Sequence, residues 1–118
     1  MKIVVVDDEE DIATILTHLL SRHGHEVIFC HDSILAPDII IEANPEIVLS
    51  DLSMPNLTGI EIFQKLKNKW KGVFIILTGD TTTNVEEIYK IGINRVLFKP
   101  GDLTRIISVL DEFAFPSS

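Results

Sequence analysis

Short apolar runs alternate along this chain with longer segments in which apolar residues recur every three or four positions. Ile3-Val4-Val5-Val6 is apolar and β-branched throughout, as expected of a strand covered on both faces. It ends in an acidic run, Asp7 to Asp11. The next segment carries Ile12, Ile15, Leu16, Leu19 and Leu20 at helical spacing. Gly24 then stands where a helix C-terminus favours a residue of positive φ. Val27 to Cys30 reads as a second strand. A second helix is expected from near Ser33 to Ala43, although Pro37, comfortable only in a first turn, leaves its start open. Asn44-Pro45 stops it, and Ile47 to Ser50 is the third strand. Thr58-Gly-Ile-Glu61 has the pattern of a capping box opening a third helix, with Ile62, Phe63, Leu66 and Trp70 as its apolar stripe. Val73 to Leu77 is the fourth strand. Thr83-Asn-Val-Glu86 repeats the capping pattern, with Val85, Ile88 and Tyr89 facing inward and Gly92 at the end. Arg95 to Phe98 is the fifth strand. Asp102 is expected to cap a last helix with the stripe Leu103, Ile106, Ile107, Leu110 and Phe113. Five strand–helix units with short connections predict an α/β fold: a five-stranded parallel sheet with helices on both faces.

Laid on that frame, the polar residues fall into a pattern. Asp7 and Asp8 follow the first strand, Asp51 ends the third, Thr78 and Gly79 follow the fourth, and Lys99 follows the fifth. All are at carboxyl ends, the edge where open α/β sheets hold their ligands. A strand order of 2-1-3-4-5 places the two acidic ends side by side, with Thr78 and Lys99 opposite. Three crowded carboxylates resist charging together, and a hard divalent cation relieves the repulsion. Mg2+ suits such a site, since it takes oxygen ligands and commonly one or two carboxylates beside a phosphate oxygen. Asp51, at the centre of Val-Leu-Ser-Asp-Leu-Ser-Met-Pro-Asn-Leu-Thr-Gly, is then a carboxylate nucleophile able to form an aspartyl phosphate. Lys99 supplies a compensating point charge. The Thr78 hydroxyl can donate to a phosphoryl oxygen, and the small Gly79 leaves room for close backbone approach.

Composition narrows the field. At 118 residues, 46% of them hydrophobic, the chain is expected to form one domain over 1–118. The net charge of −8 repels phosphate backbones and disfavours direct nucleic-acid binding. A lone cysteine, Cys30, allows no internal disulfide and suits a reducing cytosol, so a cytoplasmic location is expected. The longest fully apolar run, Val73 to Leu77, is far too short for a bilayer. One Lys followed by two acids makes no signal-peptide pattern. The end of the chain, Phe115-Pro116-Ser117-Ser118, suits either a natural terminus or the start of a linker. His18, His23, His25 and His31 lack partners at metal-ligand spacing and read as surface residues. Trp70 and the phenylalanines read as core or core rim.

Four separated motifs now stand in order: Ile-Val-Val-Val-Asp-Asp-Glu-Glu-Asp, the Asp51 loop, Ile-Leu-Thr-Gly and Leu-Phe-Lys-Pro. Over essentially its whole length the chain resembles the receiver domain of two-component response regulators. The resemblance implies a flavodoxin-like sheet and a phosphorylation-activated switch that catalyses only its own phosphorylation and dephosphorylation. Asp51 would accept a phosphoryl group from a sensor histidine kinase or a histidine phosphotransfer protein. Asp8 and Asp51 would bind Mg2+ through their side chains, Asp7 mainly through water, and Ser53 through its backbone carbonyl. Thr78 would move toward the phosphoryl group, Lys99 would contact it, and Lys99-Pro100 would be cis. A face from about Val85 to Leu110, comprising the fourth helix, fifth strand and fifth helix, would then change its preference for a downstream protein, an effector domain or a second copy of the chain.

One position departs from the pattern. The family usually carries an aromatic residue three before the lysine, and here that residue is Val96. Valine is short and stiff at χ1 and cannot repeat an aromatic side chain's motion. The signal is therefore expected to leave through displacement of the loop after Thr78 or through altered dimerisation. Blander readings stand beside these. Asp7 and Asp8 could merely favour a helix N-terminus, and Glu9, Glu10 and Asp11 are expected to do so or to form a solvated face. Asp80 is either a tuner of phosphoryl lifetime or a plain loop acid. A pseudo-receiver, acting as a constitutive interaction module, is the alternative function. A flavin binder would need a hydroxyl- and Gly-rich turn after the first strand, and a haloacid-dehalogenase-type phosphatase an Asp-x-Asp pair there; neither pattern is present.

Overall fold

Five strands and five helices alternate along the chain in the computed structural model, which describes residues 1–114; Phe115 to Ser118, the expected terminus or linker start, lie outside the described residues. The order is β1 (Lys2–Val6), α1 (Glu10–Arg22), β2 (Glu26–Cys30), α2 (Ala36–Ala43), β3 (Ile47–Asp51), α3 (Gly59–Leu66), β4 (Val73–Thr78), α4 (Val85–Ile91), β5 (Arg95–Phe98) and α5 (Ile106–Ala114), with a 3-10 turn at Gly101–Arg105 before α5. The sheet is parallel throughout and ordered β2-β1-β3-β4-β5, as expected.

The two-residue period of a strand sorts each apolar run between two cores. Val4 and Val6 join Val48, Phe74, Ile76 and Val96 under α2, α3 and α4. Ile3 and Val5 join Ile47, Leu49, Ile75, Leu77 and Leu97 under α1 and α5. Every residue of β3 is buried. This explains why these runs show no apolar–polar alternation: both faces of the sheet are covered.

The helix ends show where local chemistry decided and where it was overruled. At α3 the expected capping box forms in full: Thr58 Oγ1 accepts from the Glu61 N–H at 3.1 Å, and Glu61 Oε1 accepts from the Thr58 N–H at 3.0 Å. Helix α1 ends as read, with Gly24 at φ +85°. Five expectations need correction, the first at α5, which begins at Ile106 and is not capped by Asp102: that carboxylate lies in the preceding 3-10 turn and accepts from the Phe98 N–H. Helix α2 begins at Ala36, three residues later than expected, with Pro37 in its first turn. Ser33 is buried instead, donating to the Pro55 carbonyl and accepting from the Leu57 N–H, so it clasps the loop after β3. Helix α3 stops at Leu66, and Trp70 reaches the core from beyond it after Asn68 turns to φ +69°. At α4 the cap is Asn84, whose side chain accepts from the Glu87 N–H, while Thr83 Oγ1 donates to the Asp80 carbonyl. Finally, Tyr89 is 41% exposed, not inward-facing, and Ile15, which shares the helical spacing of α1, is 52% exposed. Both lie at the margin of a helical stripe, where a shift of one position turns a side chain to solvent.

Candidate functional site: an acidic cleft at the carboxyl edge of the sheet

Register aligns the functional residues. Val6 pairs with Ser50, so Asp7 stands level with Asp51 on adjacent strands. Asp51 pairs with Leu77 and Thr78 with Phe98, which brings Thr78 and Lys99 to the same rim. The Lys99 N–H donates to the Thr78 carbonyl at 2.8 Å, carrying the pairing one residue past β5. The loop after β3 breaks away at once. Gly59, the first residue of α3, packs so closely that a Cβ there would stand 2.5 Å from the Asp51 carbonyl oxygen and 2.7 Å from Ile76 Cδ1. Only glycine fits this approach, and it holds the start of α3 against the floor of the site.

The charges converge on one ammonium. Lys99 Nζ lies 3.2 Å from Asp7 Oδ2, 3.4 Å from Glu9 Oε1 and 3.6 Å from Asp51 Oδ1, and its side chain is only 9% exposed. Burial raises the Asp51 pKa to about 6, with Lys99 opposing and Asp7 and Asp8 adding to the rise. Burial likewise raises the Asp7 pKa, against the pull of the Glu9 N–H, which donates to Asp7 Oδ1 at 2.9 Å, and of Lys99. Burial alone would lower the Lys99 pKa, but Asp51 and Asp7 outweigh it and the ammonium is held charged. Asp7, Asp8, Glu9 and Asp51 each offer a carboxylate oxygen, all within 4.8 Å of one another. Four anionic oxygen donors against one ammonium fit a hard divalent cation such as Mg2+ and would gain from its charge.

Asp51, Ser53, Thr78, Gly79, Lys99 and Glu9 line one open cleft of about 460 Å3. Asp8 is exposed at its acidic side. An added Cβ at Gly79 would meet nothing within 4 Å, so the space above it is open to a ligand. Thr78 is buried, and its hydroxyl accepts from the Asp80 N–H at 3.1 Å, which ties it to the loop after β4. Asp80 itself is occupied: its Oδ1 accepts from the Thr82 N–H at 2.9 Å and from the Thr82 hydroxyl at 2.6 Å, which holds its pKa below the usual carboxylate value. The Lys99-Pro100 bond is cis. Val96 is 7% exposed, packed in the core under α4.

Two participants were not anticipated from sequence. Glu9 has the sequence position of a helix-dipole or solvated acid, yet it contacts Lys99 across the mouth of the cleft. The stripe of α4 predicts an inward-facing Tyr89, yet the side chain is part-exposed and its hydroxyl accepts from the Val96 N–H at 3.2 Å. The first lay hidden within an acidic run. The second carried no sequence signal, because a side chain bonded to a strand N–H leaves no pattern.

Known proteins agree with this geometry. Residues 3–111 match the family described as the response regulator receiver domain. The receiver domain of the Francisella response regulator 1452 superposes with a TM-score of 0.84 at 26% identity, covering 95% of this chain and 94% of that one. The BeF3-activated N-terminal receiver domain of Klebsiella pneumoniae RstA gives 0.85 at 23% identity, covering 94% and 96%. The response regulator TrrA of Thermotoga maritima, in complex with Mg2+ and BeF, gives 0.85 at 22% identity, covering 95% and 97%. With its 2-1-3-4-5 sheet and its rim of acids, hydroxyl and lysine, this chain belongs to the response regulator receiver domain family.

Proposed function

We propose that this receiver domain of a two-component system is switched by phosphoryl transfer to Asp51, with Mg2+ as cofactor. The observation that carries the reading is the Lys99 ammonium buried within 3.6 Å of Asp51 and 3.2 Å of Asp7, beside an open cleft. Aspartate is a weak nucleophile, and its attack on phosphorus is opposed by charge, so the site's task is neutralisation and alignment. A carboxylate oxygen of Asp51 forms the bond to phosphorus as the phosphorus–nitrogen bond of a phosphohistidine breaks. The electron pair returns to the imidazole, which takes a proton from solvent. Asp7, Asp8, Asp51 and the Ser53 carbonyl would hold Mg2+, which when bound supplies positive charge to the phosphoryl oxygens. Lys99 offers an ammonium to the same group, and the Thr78 hydroxyl can turn from the Asp80 N–H to donate to a phosphoryl oxygen. Gly79 leaves that side open.

The phosphodonor in this reading is a sensor histidine kinase or a phosphotransfer protein, and the setting is cytoplasmic, with residues 1–118 acting as one receiver. The response passes to the α4–β5–α5 face, which binds an effector or a second copy of the chain. Intact mass spectrometry after incubation with Mg2+ and a small-molecule phosphodonor tests the chemistry. One phosphoryl adduct in the native chain, absent without Mg2+ and absent in Asp51→Asn, is expected. No adduct under conditions where Mg2+ binds would overturn the reading in favour of a constitutive interaction module.

A further inference from the structure

Strand β5 is the edge of the sheet, so half of its N–H groups face away from β4. Lys99 N–H points toward β4, and alternation therefore turns those of Phe98 and Val96 to the free edge. Both are taken by side chains. The Phe98 N–H donates to Asp102 Oδ2 at 2.8 Å, from the 3-10 turn that follows the strand. The Val96 N–H donates to the Tyr89 hydroxyl at 3.2 Å, from helix α4. The first bond spans four residues of a tight turn. The second joins two separate elements.

That second bond closes a ring. Thr78 Oγ1 accepts from the Asp80 N–H. Asp80 holds Thr82 and Thr83, which lead into the Asn84 cap of α4. Helix α4 carries Tyr89 to Val96, and Val96 pairs across the sheet with Ile76, two residues before Thr78. Every other link in the ring is covalent, a strand pairing, or a contact within a few residues. The Tyr89–Val96 link is one neutral hydrogen bond to a residue that is 41% exposed. A shift of α4 relative to β5 therefore breaks there first. Drawing the Thr78 hydroxyl toward a phosphoryl group on Asp51 takes its oxygen from the Asp80 N–H, loosening the loop that fixes α4.

We propose that Tyr89 is a latch between the phosphorylation site and the outer edge of the sheet. Its hydroxyl clamps α4 to the Val96 N–H in the resting domain, and phosphorylation opens the clamp, freeing the Tyr89 side chain and an edge N–H for a partner. Val96 has no aromatic ring to move, so Tyr89, reaching its backbone from α4, becomes the moving aromatic. The latch rests on the proposal that Asp51 is the phosphoacceptor.

The test is hydrogen exchange by NMR on the native chain and Tyr89→Phe, with and without Mg2+ and beryllofluoride. Tyr89→Phe keeps the ring and removes the hydroxyl at a site open enough to spare the fold. Without ligand, the Val96 amide is expected to exchange roughly fivefold faster in the variant, the equivalent of one lost hydrogen bond. With ligand, the native Val96 amide rises to the variant's rate and the variant changes no further. The Phe98 amide, held by Asp102, stays constant throughout. Equal Val96 exchange in the two unliganded proteins overturns the latch. So does an unchanged native Val96 rate when the Asp51 to Ser53 amides report bound ligand. Failure of those amides to shift at all overturns the phosphoacceptor reading and removes the latch's trigger, an outcome distinct from the other two.

Discussion

The two sides of the carboxyl rim are built differently. On the β1–β3 side, Asp7 and Asp51 extend strands that are buried on both faces, and Gly59 seats α3 directly against the Asp51 carbonyl. On the β4–β5 side, Thr78 is buried, but the loop from Asp80 to Asn84 is largely exposed and held by its own short side chains. The first side can hold reacting atoms to the tolerance that chemistry needs, because packed strands have few alternative positions. The second is held by hydrogen bonds that can be exchanged for others at little cost. In the proposed reading the first side carries the reacting carboxylate, the second side contributes Lys99 to it, and the response runs through the Asp80–Asn84 loop of the second side.

The sharpest way to break this contrast is at Asp51. Asp51→Asn is expected to abolish phosphoryl incorporation, read by intact mass. The same variant should be more stable than the native chain in metal-free buffer at pH 8. The reason lies in the raised pKa. The folded state binds the Asp51 proton more tightly than the unfolded state does, so native stability falls as pH rises from the unfolded pKa of 3.8 through about 6. Above pH 6 the carboxylate is charged in both states and the penalty is complete; below about pH 4 it is protonated in both and the penalty is gone. Melting temperatures across pH 3.5 to 8 should show the variant's advantage growing with pH, and Mg2+ should reverse it by binding the native cluster. An advantage independent of pH would count against an uncompensated carboxylate as its cause.

Lys99→Met removes the ammonium from between Asp7, Glu9 and Asp51. About 3 kcal/mol should be lost at pH 8, since breaking a buried ion pair leaves its partners uncompensated. Saturating Mg2+ or a pH below 6 should restore part of the loss in chemical denaturation, because either reduces the same repulsion. Gly59→Ala tests the rigid side by packing alone. Its methyl group would overlap the Asp51 carbonyl, and a loss of about 2 kcal/mol is expected from overpacking. Asn84→Ala, on the responsive side, should cost about 1 kcal/mol through the lost cap and leave the yield of phosphoryl adduct unchanged. If Asn84→Ala proved more damaging to the chemistry than Gly59→Ala, the two sides of the rim would not divide reaction from response.

Much of this was present in the order of residues. Apolar runs covered on both faces, Gly24 after α1 and the Thr58–Glu61 box required only local chemistry, and they placed the strands and several helix ends. Placing Asp7, Asp51, Thr78 and Lys99 at strand ends then followed from chain order, because a parallel sheet brings all carboxyl ends to one edge. A helix start near Ser33 fails because a serine's tendency to begin a helix is local, whereas its buried partners, Pro55 and Leu57, are more than twenty residues away. The Thr83 box failed because α4 begins one residue later than that pattern requires, which puts Asn84 at the cap and leaves the Thr83 hydroxyl turned to the Asp80 carbonyl. Helical spacing could not tell which margin of α4 faced solvent, since a stripe has a direction but no sharp border. The sequence by itself determined which groups share the rim, through periodicity and strand order. Tertiary structure alone decided which of them touch: Glu9 with Lys99, and Tyr89 with Val96. Such contacts depend on how a helix sits on a sheet to within an ångström or two, and no residue pattern along the chain carries that distance.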